Sequence, residues 1–256
     1  MKKIFAAAAI ALVMITSCSD DDSSSNNNNN SDAVLLKKMV ETYEDGTSFT
    51  TTYTYDEDKL VRKNESDGYR TEYFYTNNKL SGIKSYDDTN HLTGEDVLTY
   101  DNNGRLATRV EYWYALEEGD EEWAEKSVFT YNSNGTISRT IYIGDMDSQT
   151  ELWEEGTITI ANGNMTKLVS EGDTAVNTYD SKNNPMKNTF AQDIFTLLDG
   201  IYGGKNNLLT YTQTGADPES ITRTYTYNSD DYPTTAVETN LTDGSNDQTN
   251  IQYFYE

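Results

Sequence analysis

From about residue 34 to the end, polar and apolar side chains alternate with a period of two rather than three or four. In a β-strand, neighbours two apart share a face, so Tyr53 and Tyr55 are expected side by side on one surface. Thr, Tyr, Val, Phe and Ile dominate these runs and suit a pleated surface. The segment 106–114 is expected to place Leu106, Val110, Tyr112 and Tyr114 on one face with Thr108, and Arg105, Arg109 and Glu111 on the other. That is the half-buried antiparallel signature. Reversals punctuate the runs. Asn103-Gly104, Asn134-Gly135 and Asn162-Gly163 carry the residues that tolerate the positive φ of hairpin turns, and Asp45-Gly46, Asp67-Gly68 and Asp243-Gly244 add more. The pattern predicts an all-β fold: an antiparallel meander of about sixteen strands, a curved or twisted hairpin array. Their starts are expected near 34, 48, 60, 70, 80, 94, 105, 123, 136, 150, 165, 174, 208, 220, 234 and 249, within about 2–4 residues.

One segment departs from this period. Between Thr189 and Gly204 the apolar residues Phe190, Ile194, Leu197, Leu198 and Ile201 fall at helical spacing. A single short helix is expected near 189–202, capped by Asn188 or Thr189, ended by Gly203-Gly204, and laid against one face or end of the sheet.

The strands also repeat. The unit is aromatic-x-aromatic, then Asp or Asn, a few polar residues and an aliphatic. It occurs as Tyr53-Thr54-Tyr55-Asp56 with Leu60, Tyr73-Phe74-Tyr75 with Leu80, Leu98-Thr99-Tyr100-Asp101 with Leu106, and Phe129-Thr130-Tyr131-Asn132 with Ile137. Further copies reach Tyr253-Phe254-Tyr255, about 25 residues apart on average but irregular, as expected for hairpins with variable loops rather than a strict solenoid.

The N-terminus follows other rules. Lys2 and Lys3 precede an apolar stretch, Ile4 to Ile15, too short to span a bilayer as a final anchor. Ile15-Thr16-Ser17-Cys18 resembles the bacterial lipobox, which implies that residues 1–17 are a lipoprotein signal peptide and that Cys18 becomes the acylated first residue, the link to outer-membrane lipid. Residues 18–32 carry Asp20 to Asp22, a Ser run and Asn26 to Asn30, a composition expected to form a flexible tether. The acidic run behind the cysteine resembles the surface-export signal of Bacteroidota lipoproteins, implying an outer-membrane protein that faces the cell exterior. Residues 33–256 are left for the hairpin domain.

Composition sharpens this picture. Hydrophobic residues are 35% of the 256-residue chain, below the roughly 45–50% of ordinary globular proteins, yet it holds 20 tyrosines. A thin core of amphipathic rings is expected, each burying its face while its hydroxyl stays wet. The formal charge is −24, and about −26 without Lys2 and Lys3, which disfavours nucleic acid as a partner. Cys18 is the only cysteine, which excludes an internal disulfide and a cysteine-based metal site.

Thr99-Tyr100-Asp101-Asn102-Asn103-Gly104-Arg105-Leu106 and Thr130-Tyr131-Asn132-Ser133-Asn134-Gly135 resemble the YD repeat of bacterial surface and Rhs-type proteins. The stretch Tyr179-Asp180-Ser181-Lys182-Asn183-Asn184-Pro185-Met186-Lys187-Asn188, followed by a helix and Lys205-Asn206-Asn207-Leu208, resembles a group of uncharacterised Bacteroidota lipoproteins with YD-like hairpins. The resemblance covers about residues 40–256. It implies a surface lipoprotein built as a β-hairpin array, and brings no activity or catalytic residues with it.

Chemistry-bearing motifs are sparse. His91, the lone histidine, sits in a polar loop, and a single imidazole makes neither a triad nor a His-rich metal site. No phosphate loop, dinucleotide fingerprint or zinc motif occurs, so neither a cofactor nor a metal is expected. The acidic, Asn-rich turns lack the spacing and closing Glu of an EF-hand. The candidate ligand-stacking or subsite residues are Trp113 and Trp123 with Glu118 and Glu121, where acids crowd a loop flanked by indoles. The leading expectation is a non-catalytic surface module that binds or scaffolds an extracellular glycan or protein. Two alternatives stand beside it. One is a carbohydrate-active enzyme using paired carboxylates of the 117–122 loop and a neighbouring hairpin. The other is a carrier of an apolar ligand in a curled sheet closed by the helix, which an interior cavity lined by Tyr and Leu would support. A transmembrane barrel is disfavoured, because its outward band should be aliphatic and many strand positions here are Thr, Asn and Lys.

Overall fold

A computed structural model describes residues 33–116 and 119–256, so the lipobox, Cys18 and the tether lie outside the described residues. The strands are β1 (Leu36–Thr42), β2 (Ser48–Asp56), β3 (Lys59–Glu65), β4 (Arg70–Thr76), β5 (Lys79–Tyr86), β6 (Leu92–Tyr100), β7 (Leu106–Trp113), β8 (Trp123–Tyr131), β9 (Thr136–Gly144), β10 (Gln149–Ala161), β11 (Asn164–Ser170), β12 (Asp173–Tyr179), β13 (Leu208–Thr214), β14 (Glu219–Tyr227), β15 (Pro233–Asn240) and β16 (Asp247–Tyr255). Each pairs antiparallel with its sequence neighbours, and β1 pairs with β16, so the meander closes into a barrel with no free edge. The expected strand starts all lie within two residues of the observed ones. The predicted turns form as well: Gly104, Gly135 and Gly163 have φ of 81°, 85° and 79°, and Asn162 at 54° makes the last a two-residue turn of the primed type.

The repeat unit has a clear structural role. The last aromatic of one strand faces the aliphatic that opens the next, as in Tyr55 opposite Leu60, Tyr75 opposite Leu80 and Tyr100 opposite Leu106. One extra residue then bulges out: Val61, Ser81 and Ala107 in these hairpins, Thr166 and Thr234 in later ones. Such a bulge adds local twist, which helps a sheet curl shut. The tyrosine hydroxyls stitch successive hairpins together. Tyr75 donates to the Leu60 carbonyl at 3.0 Å, Tyr100 to Leu80 at 2.6 Å and Tyr131 to Leu106 at 3.1 Å. Tyr179 donates to Met165 at 2.7 Å, Tyr225 to Leu208 at 2.8 Å and Tyr255 to Pro233 at 2.8 Å.

These aliphatics and rings point inward at one rim and meet the helix α1 (Gln192–Leu198). Ile194 and Phe195 are buried among Leu60, Leu80, Leu98, Leu106, Phe129, Ile137, Ile158 and Met165, so the helix plugs that end of the barrel. Phe195 meets the Tyr73 ring edge-on at 5.9 Å. The helix is shorter than its apolar spacing predicts. Ala191, in the left-handed region at φ 63°, precedes it without a side-chain cap, and Asp199 follows it. The backbone N–H of Thr189 turns back to Met186 and that of Phe190 donates to Asp58, a local turn and a strand-to-plug tie that precede left-handed Ala191. Asn188 does not cap the helix: its amide donates to the Val34 carbonyl at 3.0 Å and to the Tyr232 hydroxyl at 2.8 Å. At the base of the plug, the Asn184 N–H donates to the Lys205 carbonyl at 3.1 Å, and the Asn207 amide donates to Asp180 at 3.0 Å.

The bulges also correct the expected faces of 106–114. Leu106 pairs with Tyr100 on the inside, but past Ala107 the inward residues are Arg109, Glu111 and Trp113, while Thr108, Val110 and Tyr112 face out. The outer wall is largely threonine and charge. Thr52, Thr54, Thr99, Thr130, Thr178 and Thr224 are exposed, and hydroxyls pair across strands at 2.6 Å in Thr99–Thr108 and 2.7 Å in Thr178–Thr210. Arg62 reaches Glu72 at 2.7 Å and Lys84 reaches Glu95 at 3.3 Å on the same surface.

Candidate functional site

Above the plug the barrel is not filled. A cavity of about 520 Å³ runs along the inner wall of β1–β4 and β13–β16. Its floor is the plug, with Met186, Pro185 and Phe195 beside Leu36, Leu60 and Leu208. Leu36 and Glu41, five residues apart on β1, both line it, so it extends about 16 Å along the strand at 3.3 Å per residue. That length carries it from the plug toward the opposite rim. The volume falls in the roughly 300–1,000 Å³ range of small-molecule pockets.

The upper wall is aromatic and charged. Tyr53, Tyr73, Tyr225 and Tyr253 line it with Glu41, Lys63, Asp199, Tyr202, Arg223 and Glu238. Period-two geometry places them there: Glu41 shares a face with Met39, Arg223 with Tyr225, and Lys63 stands opposite inward Tyr53. Some charges are matched. Arg223 bonds Glu238 at 2.5 Å and lies 4.3 Å over the Tyr202 ring, and Lys63 bonds Glu65 at 2.8 Å. Glu41 and Asp199 form no salt bridge among the described residues. Burial raises the Glu41 carboxyl above its ordinary range, against the pull of Arg223. Asp199 is pushed up to about 6, chiefly by desolvation within the ring of strands, although its side chain remains open to the lumen. Tyr253 is only 7% exposed, yet its hydroxyl, like those of Tyr53 and Tyr73, has no hydrogen-bond partner among the described residues. Burial raises all three phenols.

A second polar cluster lies farther around the inner wall. Arg109 bonds Asp96 at 2.6 Å and Glu111 at 2.8 Å, and burial raises Glu111 to about 7.

The sequence-predicted site residues lie elsewhere. Trp113 closes β7 and Trp123 opens β8 at the rim opposite the plug, and they stack on each other, with centroids 4.0 Å apart at 9°. The pair leaves Trp123 41% exposed, and Glu121 is exposed nearby, while Glu118 lies outside the described residues. His91 is an exposed loop residue. None of Trp113, Trp123 and Glu121 lines the cavity. Among the described residues no group of three or more His, Cys, Asp or Glu is arranged to hold a metal ion.

The architecture has counterparts among solved structures. A porin-like protein from Bacteroides vulgatus superposes with a TM-score of 0.54 at 12% identity, over 88% of this chain and 99% of that one. A porin-like protein from Bacteroides uniformis is also similar, at 12% identity over 86% of this chain and 98% of that one, with a TM-score of 0.38. No family model and no curated protein matches the sequence. At this identity the first likeness is one of fold: an antiparallel β-barrel spanning nearly the whole of both chains.

Proposed function

We propose that this chain is a non-catalytic binding barrel, held at the outer membrane by acyl chains on Cys18, that takes a small ligand into its lumen. The cavity between the plug and the open rim carries this reading. Of the alternatives left by the sequence, it favours the carrier, with one amendment: the floor is apolar but the upper wall is not. Tyrosine hydroxyls and carboxylates there would be poorly matched by a purely apolar guest. The outer wall of threonine and ion pairs suits water better than hydrocarbon, so the barrel stands clear of the bilayer on its tether. The described chain enters and leaves at the plugged rim, where the Leu35 N–H bonds the Glu256 carbonyl, and the mouth lies at the other end.

Thermal denaturation against a library of small molecules tests this. A ligand at a hundred times its Kd adds about 2.7 kcal/mol to stability. Met39→Trp, which fills the cavity, should remove the shift. A shift that persists in Met39→Trp, or no shift with any compound, would rule out the lumen as the site.

A second reading, glycan contact at the rim, rests on the exposed face of Trp123. Trp123→Ala should abolish retention on the bound glycan while leaving the lumen ligand unaffected.

A further inference from the structure

The cavity changes character along its length, in the same sense on each of the three strands that contribute more than one lining residue. On β1, Leu36 lies at the plug end, opposite Tyr255, and Glu41 lies nearer the mouth, opposite Ile251. On β3, Leu60 stands at the plug end and Lys63 follows it toward the mouth. On β14 the chain runs the other way, and Tyr225 stands nearer the plug than Arg223. The polar side chains at the floor are turned to the plug itself: the Asn184 amide donates to the Tyr202 carbonyl at 3.1 Å, and the Asn207 amide to Asp180 at 3.0 Å. The charged end carries both signs. Arg223 pairs with Glu238 and Lys63 with Glu65, while Glu41 feels both cations and Asp199 feels Lys63, so neither sign stands alone.

We propose that the lumen binds an elongated amphiphile, an alkyl chain with an uncharged, hydroxyl-bearing head, its tail on the plug and its head toward the mouth. This rests on the binding-barrel reading and specifies its ligand. Leu36, Leu60, Leu208 and Phe195 at the floor take a tail out of water. The wall above offers carboxylates and phenol oxygens as acceptors, and lysine, arginine and phenol groups as donors, which suits hydroxyls that both donate and accept. A guest apolar throughout would desolvate the charged wall and return no hydrogen bonds, and one polar throughout would bury hydroxyls against leucine and phenylalanine. A head with a net charge would disturb a wall whose charges already pair. The plug also sets a limit. The cavity is about 16 Å long, so a longer tail is rewarded only until it meets Met186 and Phe195.

Isothermal titration of the purified protein with a series of alkyl glucosides decides the matter, from methyl glucoside through progressively longer tails, each below its micelle-forming concentration. Alkyl carboxylates and alkylamines of matching tail length are the charged comparisons. The expected result is that affinity for the glucosides rises by about fourfold for each added methylene and then levels off at a limiting length. Met186→Ala, which lowers the floor, should move that limit to a longer tail, and Met186→Phe, which raises it, to a shorter one. Circular dichroism verifies that both variants fold, and either alone suffices if the other does not. Glu41→Leu, at the mouth end, should weaken every glucoside by about fivefold, as for one hydrogen bond, and leave the limit where it is. Affinity indifferent to tail length, preference for a charged head, or a limit that the Met186 variants do not move would overturn the amphiphile proposal. If glucosides do not bind but members of the wider library still shift the melting midpoint of the native chain and not of Met39→Trp, the amphiphile falls and the lumen remains a site. No binding by any glucoside and no shift in that library would overturn both.

Discussion

Replacing Tyr100 by Phe isolates the interaction that gives the repeat its tyrosine. The Tyr100 hydroxyl donates to the Leu80 carbonyl at 2.6 Å, and Leu80 is fully buried. Phenylalanine keeps the ring in the core and keeps Lys79 over it at 4.6 Å, so only the oxygen is lost. A typical hydrogen bond contributes about 0.5–1.5 kcal/mol net, and a buried acceptor left without its donor costs about 1–3 kcal/mol. The expected loss is about 1–2 kcal/mol, read as a lower urea midpoint at constant slope. Tyr142→Phe is the control: Tyr142 faces out, opposite Lys126, and its hydroxyl bonds nothing among the described residues. Its effect should stay within about 0.5 kcal/mol. Equal midpoints for the two variants would refute the idea that hydroxyl-to-carbonyl bonds join hairpin to hairpin.

Two further outcomes follow from the charged interior. Arg109→Ala leaves Asp96, 8% exposed, and Glu111 without their partner, and should cost about 3 kcal/mol in urea unfolding, part of it recovered in acid as the carboxylates take up protons. Asp199 is raised to about 6 by desolvation, beside Lys63, Arg109 and Asp96, so the fold prefers it protonated. Its penalty is absent below the unfolded carboxyl range, near 4, and grows as pH rises through about 6. Asp199→Asn should therefore raise the melting midpoint at pH 8 and leave it unchanged at pH 3.5, and an increase of the same size at both would contradict this.

The strands and turns were legible because each is decided locally, by alternation on a pleat and by residues that accept positive φ. Closure was not, since it depends on twist accumulated over sixteen strands and on bulges such as Ala107 that no composition rule marks. The same bulge reversed the expected faces beyond Leu106: a single extra residue exchanges inside for outside. The helix begins later than its spacing predicts because the chain is still turning at Met186–Thr189 and passes Ala191 in the left-handed region at φ 63°, a backbone state that apolar spacing does not mark. The lumen residues were missed for a different reason. Charges in strands were read as facing water outside, whereas a barrel has a wet interior. Met39-x-Glu41 and Arg223-x-Tyr225 carried the signal, a charge sharing its face with a core residue.

Cysteine labelling of the lumen tests the central claim most directly. In a Cys18→Ser chain, Met39→Cys places a thiol on the cavity wall, and Val40→Cys places one on the outer wall of the same strand. A small water-soluble thiol reagent should modify both, and a compound that raises the melting midpoint in the small-molecule library should slow the reaction at Met39→Cys alone. An unreactive Met39→Cys in the folded protein, or rates at both positions that no small molecule changes, would mean that the barrel has no ligand-accessible interior.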